Sequence, residues 1–293
     1  MAKSTRFSFF KSLRFYTSFA SVWIMNLGVF GLSLKKVCAP GFNCHGCPAA
    51  SFACPVGTMT FGFSWRTFPA LAVGLVATVG VVFGRLVCGF FCPFGFLQEL
   101  LYRVPTPKVS LTWWREHMRW TRWGKYAALA LLVVAFPLAL GFDLSTEWRL
   151  YYCRICPNGT LTATPFALGG ASSEVIYGAA GGLAVKVSIL FAFLIGMVLV
   201  SRVFCRTFCP LGAAYALMSP FALWRVRVDH DACVMCGVCN RVCPVDLDVV
   251  KEAGGPECIS CGACIGACPK GAISRVFGLR PGHAHAMPSS EKV

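Results

Sequence analysis

Eighteen of the 293 residues are cysteine, and their spacing sorts them into three sets. The first is Cys233-x2-Cys236-x2-Cys239-x3-Cys243-Pro244, followed by Cys258-x2-Cys261-x2-Cys264-x3-Cys268-Pro269. Two such runs build two [4Fe–4S] clusters, the fourth thiolate of each run reaching across to the other cluster. One cluster is therefore expected on Cys233, Cys236, Cys239 and Cys268, and the other on Cys258, Cys261, Cys264 and Cys243. The close spacing follows from the cofactor, because three thiolates must cap three irons of one small cube. Gly237 and Gly262 let the backbone turn tightly around it. All-cysteine zinc sites also use C-x2-C pairs, but zinc does not explain the third and fourth Cys at these offsets twice over.

The second set is Cys88, Cys92, Cys205 and Cys209, in two C-x3-C-P motifs. At i and i+4 on a helix, two thiols share one face, and Pro93 and Pro210 are expected to stop that helix. Brought together, the two pairs would make one four-thiolate site for a third cluster. Zinc, or unliganded thiols packed as small apolar groups, are the alternatives. Arg85 and Arg202 precede the motifs by about one turn and would offset a thiolate-ligated centre's negative charge. The third set, Cys38, Cys44, Cys47, Cys54, Cys153 and Cys156, includes two C-x2-C-P pairs. It suits either a fourth cluster or disulfides, which an extracytoplasmic compartment permits. Cys54 and Cys156 are expected to be equivalent ligands.

Other chemistries lack their residues. There is no C-x-x-C-H for covalent haem. No glycine-rich dinucleotide fingerprint opens a helix. All five histidines (45, 117, 230, 283 and 285) lie outside the apolar stretches, as do all Asp, Glu and Lys residues, so no buried bis-His haem or proton relay is visible there. The segment Trp113–Trp123 mixes Trp with Arg and reads as an interfacial belt. A sharper alternative is a quinone pocket rim, with His117 or Glu116 handling a proton.

These cysteines need a scaffold, and composition identifies its solvent. The chain is 56% hydrophobic and 13% charged, with mean hydropathy +0.64, against ~25% charged for an average soluble domain. Four stretches lack charge for about the ~20 residues a bilayer requires: Phe15–Leu34, Thr67–Gly84, Tyr126–Phe142 and Val187–Ser201. Lys and Arg number 21 in residues 1–14, 85–125 and 202–293, against 6 in residues 35–66 and 143–186. The positive-inside rule then puts both termini in the cytoplasm of a multi-pass inner-membrane protein. The net charge of +15 fits basic loops and anionic lipid headgroups better than nucleic acid. The basic prefix of the first stretch is followed by Lys35-Lys36 rather than a small-residue cleavage site, as in a retained anchor.

The scaffold is also repeated. Gly84-Arg-Leu-Val-Cys-Gly-Phe-Phe-Cys-Pro-Phe-Gly95 aligns with Ser201-Arg-Val-Phe-Cys-Arg-Thr-Phe-Cys-Pro-Leu-Gly212, and Cys54-Pro-Val-Gly-Thr58 with Cys156-Pro-Asn-Gly-Thr160. The expected fold is an all-α membrane protein with four transmembrane helices in two parallel repeats, residues 1–110 and 111–225. A small α+β domain, residues 226–276, follows on the cytoplasmic side, and residues 277–293 form a flexible tail.

Paired C-x3-C-P motifs after the second and fourth stretches, with a C-terminal two-cluster bacterial ferredoxin run, resemble the NapH-type membrane polyferredoxins. The cytoplasmic half of NosR and the CcoG-type polyferredoxins share this plan. The likeness covers roughly residues 15–275. It lies nearer a membrane 4Fe-4S binding branch whose outer loops carry Cys-Pro-x-Gly-Thr. The resemblance implies a quinol dehydrogenase component passing electrons between membrane quinone and other redox subunits of a respiratory complex. The rival class is a maturation factor that reduces a metal, or a redox-sensing regulator, which exposed low-pKa thiols would favour.

Overall fold

The computed structural model describes residues 2–108, 119–141, 151–169 and 180–278. Helix α1, Ala2–Met25, opens the chain. A short 3-10 turn and two parallel strands, Leu34–Cys38 and Phe52–Ala53, make up the first outer loop. Helices α2 (Pro55–Ser64), α3 (Ala70–Phe83), α4 (Leu86–Phe90) and α5 (Pro93–Tyr102) complete the first half. The second half repeats the order: α6 (Trp120–Leu140), α7 (Pro157–Thr162), α8 (Ala180–Leu199), α9 (Val203–Thr207) and α10 (Pro210–Met218).

The halves exchange their packing. Helix α3 of the first lies against α10 of the second, and α8 of the second against α5 of the first. Apolar side chains from both fill one core, in which Phe42, Phe94 and Phe204 meet with ring centroids 4.9–6.0 Å apart. Ten of the eighteen cysteines lie in or against this same core.

Two helical segments, Trp120–Leu140 and Gly182–Leu199, are long and apolar enough to cross a bilayer. The other two expected spans take different forms. Helix α1 ends at Met25, inside the apolar stretch Phe15–Leu34, whose remainder forms the 3-10 turn Leu27–Phe30 and the start of the first strand. Helix α3 has 14 residues, about 21 Å at ~1.5 Å per residue, against a bilayer core of ~30 Å. Lys125 and Lys186 fall within the two long helices, outside the shorter charge-free stretches read from the sequence.

The C-terminal domain is α+β as expected. Strands Trp224–Val228 and Ile273–Phe277 pair antiparallel, Val228 opposite Ile273, and close both ends of the cysteine-bearing segment. Helix α11, Ala263–Ala267, packs this domain against α1. The belt residues 109–118, with His117 and Glu116, and the end of the chain from 279 lie outside the described residues.

Candidate iron–sulfur sites

In the C-terminal domain, the two interleaved quartets each line a cavity of their own. Cys233, Cys236, Cys239 and Cys268 surround one of ≈ 380 Å³. Cys243, Cys258, Cys261 and Cys264 surround one of ≈ 360 Å³. The backbone reverses sharply at each second cysteine. Met235 and Ser260 take φ of 54° and 48° just before it, and Gly237 and Gly262 take 69° and 80° just after. Successive turns of this kind aim backbone N–H groups inward, forming a concave nest for an anion. Burial pushes the Cys243 thiol up to about 12 and raises Cys258 as well. An unliganded thiolate is therefore costly there, and bound iron would offset that cost.

The third quartet is assembled across the halves. Cys88, Cys92, Cys205 and Cys209 line a cavity of ≈ 300 Å³ with Arg85 and Phe42. The expected i,i+4 pair on one helix does not form. Cys88 and Cys205 lie in α4 and α9, which end before Cys92 and Cys209. Pro93 and Pro210 start new helices rather than only stopping old ones, because proline fits the first helical position. Cys92 and Cys209 become N-caps, each accepting a hydrogen bond from the N–H of the glycine three residues on, at 3.4 and 3.3 Å. The Gln98 amide donates to Cys205 Sγ at 3.0 Å.

Arg85 and Arg202 are each 1% exposed. Each reaches across the pseudo-symmetry: Arg85 donates to the Cys205 carbonyl at 3.4 Å, and Arg202 to the Cys88 carbonyl at 2.7 Å. Their carboxylate partners differ. Arg202 pairs with Glu99 at 2.5 Å, which Arg14 also contacts. Arg85 pairs at 3.0 Å with Glu257, beside Cys258 in the C-terminal domain. Lys125 binds the same carboxylate at 2.5 Å. Burial alone would raise the Glu257 carboxyl, but Arg85 and Lys125 outweigh it and hold it below its ordinary value.

Those ion pairs also dock the domain. Arg206 faces Asp246 at 3.8 Å, and the Ser201 hydroxyl donates to the Pro244 carbonyl at 2.8 Å. A Cβ on Gly89 would lie 2.9 Å from the Ile259 carbonyl and 3.9 Å from Cys261 Cβ. The third quartet's loop thus rests on the loop holding the second.

The outer set divides. Cys54 and Cys156 are N-caps of α2 and α7, each followed by proline, as the repeat requires. A Cβ on Gly57 would lie 3.8 Å from Cys153 Sγ, and one on Gly159 would lie 3.4 Å from Cys44 Sγ. The halves therefore cross here too, bringing Cys44, Cys54, Cys153 and Cys156 together. Cys38 instead faces the Thr58 hydroxyl at 3.5 Å. All eighteen cysteines are unpaired thiols in the structure.

The donor set and the space suit a cluster better than a lone ion. Zinc holds four sulfurs at ~2.3 Å from one point. Among the described residues, no three His, Cys, Asp or Glu side chains gather in that way. Three cysteine quartets instead line the walls of wider cavities.

One sequence signal went unread. Cys-Pro-x-Gly occurs five times, at Cys54, Cys92, Cys156, Cys209 and Cys268, and the first four copies each start a helix. The partners Glu99, Gln98 and Glu257 had no comparable motif.

The fold and sites define a ferredoxin-type 4Fe-4S protein whose two-cluster domain sits on a duplicated cysteine scaffold. A 4Fe-4S binding domain family matches residues 61–112, 127–173 and 185–228. A 4Fe-4S dicluster domain family matches residues 223–278. The uncharacterized protein MJ0750 of Methanocaldococcus jannaschii is 30% identical over 70% of this chain and 78% of its own length. The methylamine utilization ferredoxin-type protein MauN of Paracoccus denitrificans is 29% identical over 64% of this chain and 58% of its own. The ferredoxin-type protein NapH of Haemophilus influenzae is 25% identical over 58% and 51%. The chain thus spans little more than half of MauN and NapH. No solved structure matches. The chain belongs to the ferredoxin-type 4Fe-4S electron-transfer proteins of the NapH, MauN and NirI kind.

Proposed function

We propose that this chain is a multi-pass membrane electron carrier linking membrane quinone to a redox partner, with both termini cytoplasmic. The observation that carries the reading is that three four-cysteine cavities adjoin: the third meets the second where Gly89 meets Ile259, and the second shares a small core with the first through Cys239, Cys243, Cys264 and Cys268. Cys233, Cys236, Cys239 and Cys268 would ligate one [4Fe–4S] cluster. Cys243, Cys258, Cys261 and Cys264 would ligate the second, and Cys88, Cys92, Cys205 and Cys209 a third. When bound, such clusters supply one-electron storage at potentials set by charge, hydrogen bonds and exposure.

The chain's own residues set those terms. Arg85 and Arg202 offset thiolate charge at the buried third site. Backbone N–H groups at Gly95 and Gly212 bond its capping sulfurs. The aromatic core of Phe42, Phe94 and Phe204 keeps water out. Four spans, two of them shortened or shared with a turn, remain the topology that the 21-to-6 basic asymmetry supports.

For quinone we assign the groove of ≈ 1910 Å³ between α6 and the docked domain. Leu129, Val134 and Leu217 supply an apolar wall, while Tyr126 and Glu257 supply polar groups beside Cys258. Lipid lines the outer sides of α6 and α8, where Leu131, Phe191 and Ile195 are exposed. The regulator reading needs exposed thiols of low pKa, and Cys153 and Cys236 are exposed, so the response to quinol separates the two readings.

Full-length protein in liposomes should show its tail clusters reduced or oxidised by added quinol or quinone. Leu129→Trp plus Val134→Trp should abolish that exchange at unchanged iron. Clusters indifferent to quinone in the parent protein would overturn the reading.

A further inference from the structure

The outer thiols and one unpartnered tyrosine carry an inference beyond those three sites, resting on the reading that the chain binds clusters. Tyr152 is 1% exposed, and its hydroxyl has no hydrogen-bond partner among the described residues. A buried polar group of this kind is costly unless something accepts its proton. Cys153 is its chain neighbour and Cys156 lies four residues on, across the short helix Tyr152–Ile155. Its ring packs on Phe42 at 6.3 Å and stacks on Phe208 at 5.5 Å, and Phe42 lines the third quartet's cavity. Tyr152 therefore stands between that quartet and the outer thiols.

The outer quartet is built on the same plan as the inner one. Each half contributes a capping Cys from Cys-Pro-x-Gly, Cys54 or Cys156, and one further thiol. The glycine of each half faces a thiol of the other, Gly57 to Cys153 and Gly159 to Cys44.

We propose that Cys44, Cys54, Cys153 and Cys156 hold a fourth [4Fe–4S] cluster, and that the Tyr152 hydroxyl donates a hydrogen bond to its Cys156 thiolate. Cys38 and Cys47 are not ligands. The outer and inner sites then share one buried core across Tyr152 and Phe42, rather than facing each other across a full bilayer thickness. Tyr152 is a positioning and tuning residue, because hydrogen bonds to cluster sulfurs help set the potential.

The test is iron and sulfide counting on the full chain purified anaerobically. The stoichiometry of four cubes gives about sixteen iron per chain, against about twelve for three. Cys44→Ser and Cys153→Ser should each remove about four iron and leave the tail signals intact, while Cys38→Ser and Cys47→Ser should remove none. Tyr152→Phe should keep all the iron and lower the potential of one centre, which a purely structural ring would not do. About twelve iron in the parent, with outer cysteines resistant to alkylation until reduced, would overturn the proposal in favour of disulfides. Iron loss in Cys47→Ser but not Cys44→Ser would overturn the ligand set, and zinc in place of iron would overturn the cofactor. Absence of iron from the tail quartets as well would instead defeat the underlying reading.

Discussion

The C-terminal quartets and the Cys88/Cys92/Cys205/Cys209 quartet use the same four thiols to different effect. Each tail quartet draws three thiols from one seven-residue stretch, and left-handed turns at Met235, Gly237, Ser260 and Gly262 curl the chain around them. The other quartet draws two thiols from each half, and whole helices position them. Charge is managed differently too. The tail relies on backbone N–H groups near solvent, whereas the other site sits between two guanidinium groups that are 1% exposed. A local loop can hold a cluster by itself. A site shared between halves needs the halves to be locked, and the reciprocal Arg85–Cys205 and Arg202–Cys88 bonds are that lock.

The largest effect expected from this contrast is at Arg85. Arg85→Met leaves Glu257 with Lys125 and the Tyr126 hydroxyl and removes one arm of the lock. Breaking a buried pair by removing one partner costs ~3–5 kcal/mol. Hydrogen exchange should show the C-terminal domain opening from the scaffold, while the isolated tail keeps both of its clusters. Equal protection in mutant and parent would mean that the ion pair does not dock the domain.

Next is Gly89→Ala, whose Cβ would meet the Ile259 carbonyl at 2.9 Å. Backbone must move to admit it, and overpacking of this kind costs ~1–3 kcal/mol. Limited proteolysis should then cut between the scaffold and Trp224 faster than in the parent. Gly237→Ala is milder and purely local, because nothing lies within 4 Å and only its φ of 69° is strained. A side chain in that conformation costs ~1–2 kcal/mol, read as a lower melting temperature of the tail without undocking.

The smallest effect is with pH. The Glu257 carboxyl titrates below its ordinary value, so its docking contribution is fully present above the usual carboxylate range near ~4.3. It fades as pH falls through the lower, folded-state value. Domain protection should be flat from neutral pH down to that range and weaken below it, and Glu257→Gln should remove that dependence.

Legibility followed locality. The grouping of the tail thiols around two separate cavities follows their spacing, because three thiols of each quartet are sequence neighbours and the fourth comes from the companion run. The Cys88/Cys92/Cys205/Cys209 quartet is legible only through the repeat, and its local geometry differs from the expected single helical face. A C-x3-C-P motif looks like one helical face until proline's place at a helix start breaks it in two. The outer loops were least legible. Nothing in the spacing favours Cys44 over Cys47, since the choice depends on how the second half's Gly159 packs against the first. The roles of Glu257 and Glu99 were hidden for the same reason, as each pairs with an arginine more than 100 residues away in sequence.

The central claim, a cluster shared between the halves, is tested most directly by counting iron in the Cys88→Ser plus Cys205→Ser full-length protein. The account predicts a loss of about four iron, one cube by stoichiometry, with both tail clusters retained and electron exchange with quinone lost. Iron equal to the parent's would show these four to be packing thiols and would contradict the account.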